Sequence, residues 1–177
     1  MTSAAVYGTG SWGTAYASVL ADAGTSVTMW GRRQEVVDQI NAGTNEDYLP
    51  ELRLPGTIRA TTDPFEAAAG ADIVVLAVPS QTLRANLEVW GSALPSSAAI
   101  VSLMKGVELG TTRRMSEVIS EVGGVEPERV VIVSGPNLAR EIAVKQPAAS
   151  VVASSSPAMA ELVAAACAAP YFRPYTG

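Results

Sequence analysis

Gly8-Thr9-Gly10-Ser11-Trp12-Gly13 follows directly on a short apolar run, Ala4-Ala5-Val6-Tyr7. Beyond it, Trp12, Ala15, Tyr16, Val19, Leu20 and Ala23 recur at spacings of three and four, the period of one helix face. Strand, glycine turn and helix form the context in which G-x-G-x-x-G signals a dinucleotide site. Each glycine has a separate task. Gly8 turns the chain sharply out of the strand, Gly10 lets a pyrophosphate approach bare backbone, and Gly13 lets the helix pack close to the sheet. The helix N-terminus offers unpaired N–H groups and a positive dipole end to phosphates. A turn that needs these glycines for steric reasons alone is the alternative. The flanking strand and helix favour the dinucleotide.

Outward from this turn, apolar runs of strand length alternate with helical patterns. Strands are expected at Ser26–Trp30, Ile58–Thr61, Ile73–Val78, Ile100–Leu103, Val130–Ser134 and Ala148–Ala153, with a last edge strand at Tyr171–Tyr175 carrying Pro174. Ile73–Val78 is unbroken by polar residues, which suits a strand buried on both faces. Between them, helices are expected on Val36-Val37-Ile40, Leu83-Leu87-Trp90, Met115-Val118-Ile119-Val122 and from Ser156-Pro157 to near Ala169. Gly24 and Gly43 mark helix ends. Asp63-Pro64-Phe65-Glu66 reads as a helix start with an N-cap, Pro at the first position and a capping-box Glu. The fold class is therefore α/β: a doubly wound, mostly parallel, Rossmann-like sheet with helices on both faces, in one domain over 1–177.

Composition narrows the chemistry. Of 177 residues 48% are hydrophobic, enough for a substantial core, and the net charge of −5 disfavours nucleic acid or an anionic membrane as partner. No apolar run approaches membrane-span length, and nothing resembles a signal peptide. A cytoplasmic location is the expectation. The chain has no histidine and one cysteine, Cys167, which reads as a small core residue. Ser-His-Asp and Cys-His catalysis are thereby excluded, and no metal site is expected. Proton chemistry must use Lys, Asp, Glu or Tyr.

In an open α/β sheet ligands bind beyond the carboxyl ends of the strands. There the chain carries the glycine turn, then Gly31-Arg32-Arg33, Val78-Pro79-Ser80, Met104-Lys105-Gly106 and Ser134-Gly135-Pro136-Asn137. Arg32 and Arg33 occupy the place where an NAD site often has an acidic residue for the ribose hydroxyl. Guanidinium groups suit a 2′-phosphate, so NADP(H) is the expected cofactor, with NAD also admitted. Lys105 can hold a carbonyl or phosphate oxygen beside the nicotinamide, or be a solvated loop residue. Asn137 is read as an N-cap for a helix through Ala139 to Ile142. Trp12 is expected to cover the cofactor side of the turn, and Tyr48 to pack its loop.

Together these segments resemble the bacterial NAD(P)-dependent glycerol-3-phosphate dehydrogenases, in their N-terminal cofactor-binding domain. The likeness runs through Gly8–Ala15, Trp30-Gly31-Arg32-Arg33, Tyr48-Leu49-Pro50, Ala77-Val78-Pro79-Ser80, Lys105-Gly106 and Ser134–Glu141. It implies interconversion of dihydroxyacetone phosphate and sn-glycerol 3-phosphate, for phospholipid synthesis. It implies cofactor contacts at Ser11, Trp12, Arg32, Arg33, Lys105 and Ala139, more loosely at Tyr48, and substrate contacts at Lys105, Gly135 and Asn137. Met104 and Asn137 stand where Ser or Thr is frequent in the family. The family continues into a helical second domain with the catalytic Lys and the Arg and Asn that hold the substrate phosphate. This chain is therefore expected to bind NADP(H) without turning over substrate. It is expected to be monomeric, although the full-length family members are homodimers. Two other readings compete. One is a related two-domain dehydrogenase, of the 6-phosphogluconate dehydrogenase or ketopantoate reductase type. The other is a non-catalytic NAD(P)-sensing module.

Overall fold

Alternation within single strands shows why this chain builds a two-sided sheet. In β1 (Ser3–Tyr7), Ala4 and Val6 enter one core while Ala5 and Tyr7 enter another. In β4 (Ile73–Leu76), Ile73 and Val75 join the first core, Val74 and Leu76 the second. A strand whose side chains are apolar on both faces needs helices over both. The computed structural model describes residues 1–177.

The remaining strands are β2 (Ser26–Trp30), β3 (Arg59–Thr61), β5 (Ala99–Ser102), β6 (Val130–Ser134), β7 (Ala148–Ala153) and β8 (Phe172–Thr176). They form one eight-stranded sheet in the order β3-β2-β1-β4-β5-β6-β7-β8. The first face is covered by α1 (Ser11–Asp22), α2 (Gln34–Asn41), α6 (Ala139–Ala143) and α7 (Pro157–Cys167). The second is covered by α3 (Pro64–Ala68), α4 (Leu83–Trp90) and α5 (Met115–Gly123). No helix is long and apolar enough to cross a membrane.

All ladders are parallel except β6–β7. The exception follows from α6. Five residues of helix span only about 7.5 Å, too little to carry the chain back along β6, so β7 starts from the end where β6 finishes. β8 lies at the sheet edge, where Pro174 withholds no N–H that the ladder needs.

The strand order reverses direction between β1 and β4, which pair in register through Val6 and Val75. This switch point is where an open α/β sheet leaves a crevice. Beneath it, Tyr7, Trp30 and Trp90 form a three-ring cluster with centroids 4.5–5.7 Å apart. The Tyr7 hydroxyl donates to the Pro64 carbonyl, and Trp30 Nε1 donates to the Thr62 carbonyl at 3.1 Å. The ends of β1 and β2 are thus fixed from below.

Several local expectations are refined. The 73–78 run leaves the ladder after Leu76, because Ala77 must pass under the glycine turn. Helix α1 is buried almost all round, Thr14, Ala17 and Ser18 included, since α6 and α7 both pack on it. Gly24 and Gly43 each follow a helix end with positive φ and close Schellman-type pairs, Thr25 N–H to Leu20 O and Thr44 N–H to Gln39 O. Asp63 caps α3 through the N–H groups of Phe65 and Glu66. Glu66, however, does not reach back to the cap. The Thr61 hydroxyl stands between them, accepting from Asp63 N–H and donating to Glu66.

Candidate functional site

The turn after β1 is built by contacts that only glycine permits. Gly8 has φ +119°, and a Cβ there would lie 2.5 Å from the Ala77 carbonyl oxygen. A Cβ on Gly13 would lie 2.5 Å from the Gly8 oxygen and 3.1 Å from Ala77 Cβ. These two glycines are consumed by packing of turn, helix and β4. Gly10 differs. Its φ of −69° suits any residue, and a Cβ there would meet nothing within 4 Å. It faces open space at the start of α1, where no side chain caps the first N–H groups. A bare backbone step, free donors and a helix dipole together fit a pyrophosphate.

That open space is a cleft of about 500 Å³, within the range of small-molecule sites. Gly8, Gly10, Ser11, Trp12 and Gly13 line its floor, with Ala77–Ser80 opposite. Arg32 and Tyr48 close one end, Met104 and Lys105 the other. Trp12 is half-buried, edge-on to Tyr16 at 5.7 Å, so its ring serves both cleft and core. Below Tyr16, Cys167 is fully buried, and desolvation raises both groups above their usual range.

At the β2 end the two arginines part. Arg32 is exposed and lines the cleft. Arg33 stands outside its wall, with Nη1 3.0 Å from Asp47 and Nε 3.7 Å from Glu35. The Asp47 charge holds the Arg33 guanidinium more firmly protonated than usual. The loop bearing Asp47 and Tyr48 is tied to the glycine turn twice. Asn45 Nδ2 donates to the Thr9 carbonyl and the Thr14 hydroxyl, both at 2.9 Å, and the Ser11 hydroxyl donates to the Tyr48 carbonyl at 3.1 Å. Asn45 is fully buried. Nothing in the local pattern singles it out, because its partners are distant in sequence. Gly31, expected among the strand-end residues, has a steric role that its neighbours in sequence do not show. A Cβ there would lie 2.6 Å from Thr9 Cγ2, so β2 also needs a glycine to accept the turn.

At the other end, Lys105 separates the cleft from a smaller hollow of about 230 Å³. Trp12, Ser134, Gly135, Asn137 and Ala139 line this hollow, and Lys105 Nζ donates to the Gly135 carbonyl at 3.2 Å. Asn137 is not the N-cap of α6. That position falls to Leu138, with no side-chain cap. Instead Asn137 Nδ2 donates to the Ala149 carbonyl at 2.9 Å, and its Oδ1 accepts from the Ser150 hydroxyl. The antiparallel β7 brings these partners alongside, which the sequence around Asn137 could not show. Gly135 is required by the same approach, since a Cβ would lie 2.7 Å from the Ala149 oxygen.

The segment after Lys105 is braced against α4 and the turn before it. Arg84 grips Glu108 with two bonds of 2.8 and 2.9 Å, and Gln81 bonds both Val107 and Leu109 backbone at 2.9 Å. The bonds from Arg84 and Thr111 hold the Glu108 carboxyl down to about 2. No group of three His, Cys, Asp or Glu side chains is placed to hold a metal ion.

Known proteins are similar to this chain in sequence and fold. The family model described as NAD-dependent glycerol-3-phosphate dehydrogenase N-terminus matches residues 3–160. A glycerol-3-phosphate dehydrogenase (NAD(P)+) of Streptomyces avermitilis is 60% identical over 174 residues, covering 98% of this chain and 52% of the relative. One from Corynebacterium aurimucosum is 56% identical, covering 99% and 53%. The crystal structure of the glycerol-3-phosphate dehydrogenase of Coxiella burnetii superposes with a TM-score of 0.89 at 31% identity, covering 99% of this chain and 54% of that one. The chain spans about half the length of the curated relatives it matches. On the family match and the shared fold, the chain belongs to the NAD-dependent glycerol-3-phosphate dehydrogenase N-terminal family.

Proposed function

We propose that the cleft binds NADP(H), and NAD(H) as well, and that this cofactor serves the interconversion of dihydroxyacetone phosphate and sn-glycerol 3-phosphate in the whole protein. The observation that carries the reading is Gly10, whose absent side chain leaves space at an uncapped helix N-terminus. The pyrophosphate would rest there, on the N–H groups of the turn. Ser11 and Trp12 would flank it, and Ala139 would approach from the hollow. Arg32, exposed at one end, would meet a 2′-phosphate, with Tyr48 beside the adenosine. The nicotinamide would reach the other end, where the cofactor supplies hydride chemistry.

Lys105 stands where a substrate oxygen would meet both cleft and hollow. Its ammonium would hold the carbonyl oxygen as charge develops. Gly135 lends a backbone edge, and Asn137 retains one amide N–H beyond its bond to Ala149. The only other lysine, Lys145, is paired with Asp22 at 3.2 Å. We therefore propose that the proton donor and phosphate clamp come from the part of the relatives' length that these residues do not span. A cytoplasmic location accords with this chemistry.

Titration of NADPH and NADH against wild type and Arg32→Ala tests the cofactor reading. Loss of a charge-assisted phosphate contact predicts about a tenfold or greater fall in NADPH affinity relative to NADH. An unchanged ratio refutes the role of Arg32. In the whole protein, Lys105→Ala is expected to cut kcat about 10²–10³-fold. Undiminished turnover would refute the role of Lys105.

A further inference from the structure

An anion stands just outside the cleft wall, beside the place proposed for the 2′-phosphate. Arg33 directs Nη1 to Asp47 Oδ2 at 3.0 Å, with Glu35 on its Nε side at 3.7 Å. Asp47 is itself hydrogen-bonded. Its Oδ1 accepts from Gln39 Nε2 at 3.2 Å, and Gln39 Oε1 accepts from the preceding residue's backbone N–H, that of Glu46, at 2.9 Å. The loop is pinned on both sides of Asp47, by Asn45 to Thr9 and by Ser11 to the Tyr48 carbonyl. A carboxylate held this way fixes an adjacent guanidinium, since Arg and carboxylate pair with directional geometry. Arg32, next to it, lines the cleft and has no such partner.

We propose that Asp47 is a specificity-determining residue of this dinucleotide site, an internal anion that holds Arg33 and competes with the cofactor's 2′-phosphate for it. The proposal rests on the NAD(P) reading of the cleft. A 2′-phosphate reaching this end finds Arg32 free but Arg33 committed. To recruit Arg33 it must displace Asp47, or accept a negative charge next to its own. A 2′-hydroxyl carries neither demand. Asp47 therefore draws the two cofactors closer in affinity, and an otherwise arginine-rich end still admits NAD(H).

The test is the ratio of NADPH to NADH dissociation constants in wild type, Asp47→Asn, Arg33→Ala and the double variant, by isothermal titration at low salt. Asp47→Asn is expected to tighten NADPH about two- to fivefold, the range that exposed ion pairs support, and to leave NADH unchanged. The gain shrinks in the Arg33→Ala background and at high ionic strength. Asp47→Ser reads the same effect if the Asn variant does not fold. An unchanged ratio in a folded variant that binds both cofactors overturns the proposal and leaves the cofactor reading intact. Failure of wild type to bind either dinucleotide overturns both.

Discussion

Gly13 sits so close to the Gly8 carbonyl that a methyl group on it would lie 2.5 Å from that oxygen, while one on Gly10, three residues earlier, would touch nothing. The same motif thus holds glycines of two kinds. Gly13→Ala forces helix and turn apart and is expected to cost about 1–3 kcal/mol, as overpacking of a rigid site does. Gly10→Ala should keep wild-type stability yet weaken NADPH about tenfold or more, because the methyl group enters the pyrophosphate space. Urea denaturation beside NADPH titration separates the two. Equal loss of stability in both variants would contradict the assignment.

Asn45 gives two donors from a buried side chain to Thr9 and Thr14. Asn45→Ala leaves the Thr14 hydroxyl oxygen without a donor and the Thr9 carbonyl with the Thr14 hydroxyl alone, and is expected to cost about 1–3 kcal/mol. Asn45→Asp should be worse, since a buried carboxylate then faces a carbonyl oxygen. Both variants should also weaken dinucleotide binding by loosening the turn. Chemical denaturation and NADPH titration of the pair check this, and an Asp variant as stable as wild type would be inconsistent with the donor role.

Glu108 sets an acid limit on the segment after Lys105. Its carboxyl is held from 4.5 down to about 2 by hydrogen bonds from Arg84 and Thr111. A folded-state value below the unfolded one means the stabilisation is complete above 4.5 and is lost as pH falls toward 2. The wild type should therefore exceed Glu108→Gln in stability at pH 6, and the gap should close between about pH 4.5 and 2. Urea midpoints of both proteins across that range measure it; a gap that widens on acidification would have the wrong sign.

Cys167 lies fully buried beneath Tyr16, and burial pushes its thiol up to about 11. Only the thiolate is an effective nucleophile. At pH 8 the native protein should not react with a disulfide reagent, and denaturation should release one reactive thiol. Prompt reaction of the native chain would show that the α1–α7 contact opens easily.

Local features of the chain were legible from the sequence because they depend on neighbours. Ala4–Tyr7, the glycine turn and the period of α1 follow from strand alternation, backbone freedom and helix pitch. The unbroken Ile73–Val78 run marks burial on both faces, and Asp63-Pro64 and Ser156-Pro157 are helix starts that carry their own caps. On those grounds the doubly wound architecture and the strand ends that bear the site could be read without coordinates.

What tertiary structure decided are relations between residues that no local rule connects. Asn137 has the local pattern of a cap, but the antiparallel β7 engages its amide through Ala149 and Ser150. Arg32 and Arg33 are equivalent as letters, and only the loop carrying Asp47 separates a free guanidinium from an occupied one. Asn45 shows no pattern along the chain, and the steric need for glycine at Gly31 and Gly135 comes from atoms that the fold brings within 3 Å, Thr9 Cγ2 and the Ala149 oxygen. The sequence by itself determined which elements form and where the sheet would bind a phosphate, since periodicity and backbone freedom are local properties. Which side chains remain available to a ligand was decided only by packing, since a hydrogen-bonding group is free or spent according to what the fold places beside it.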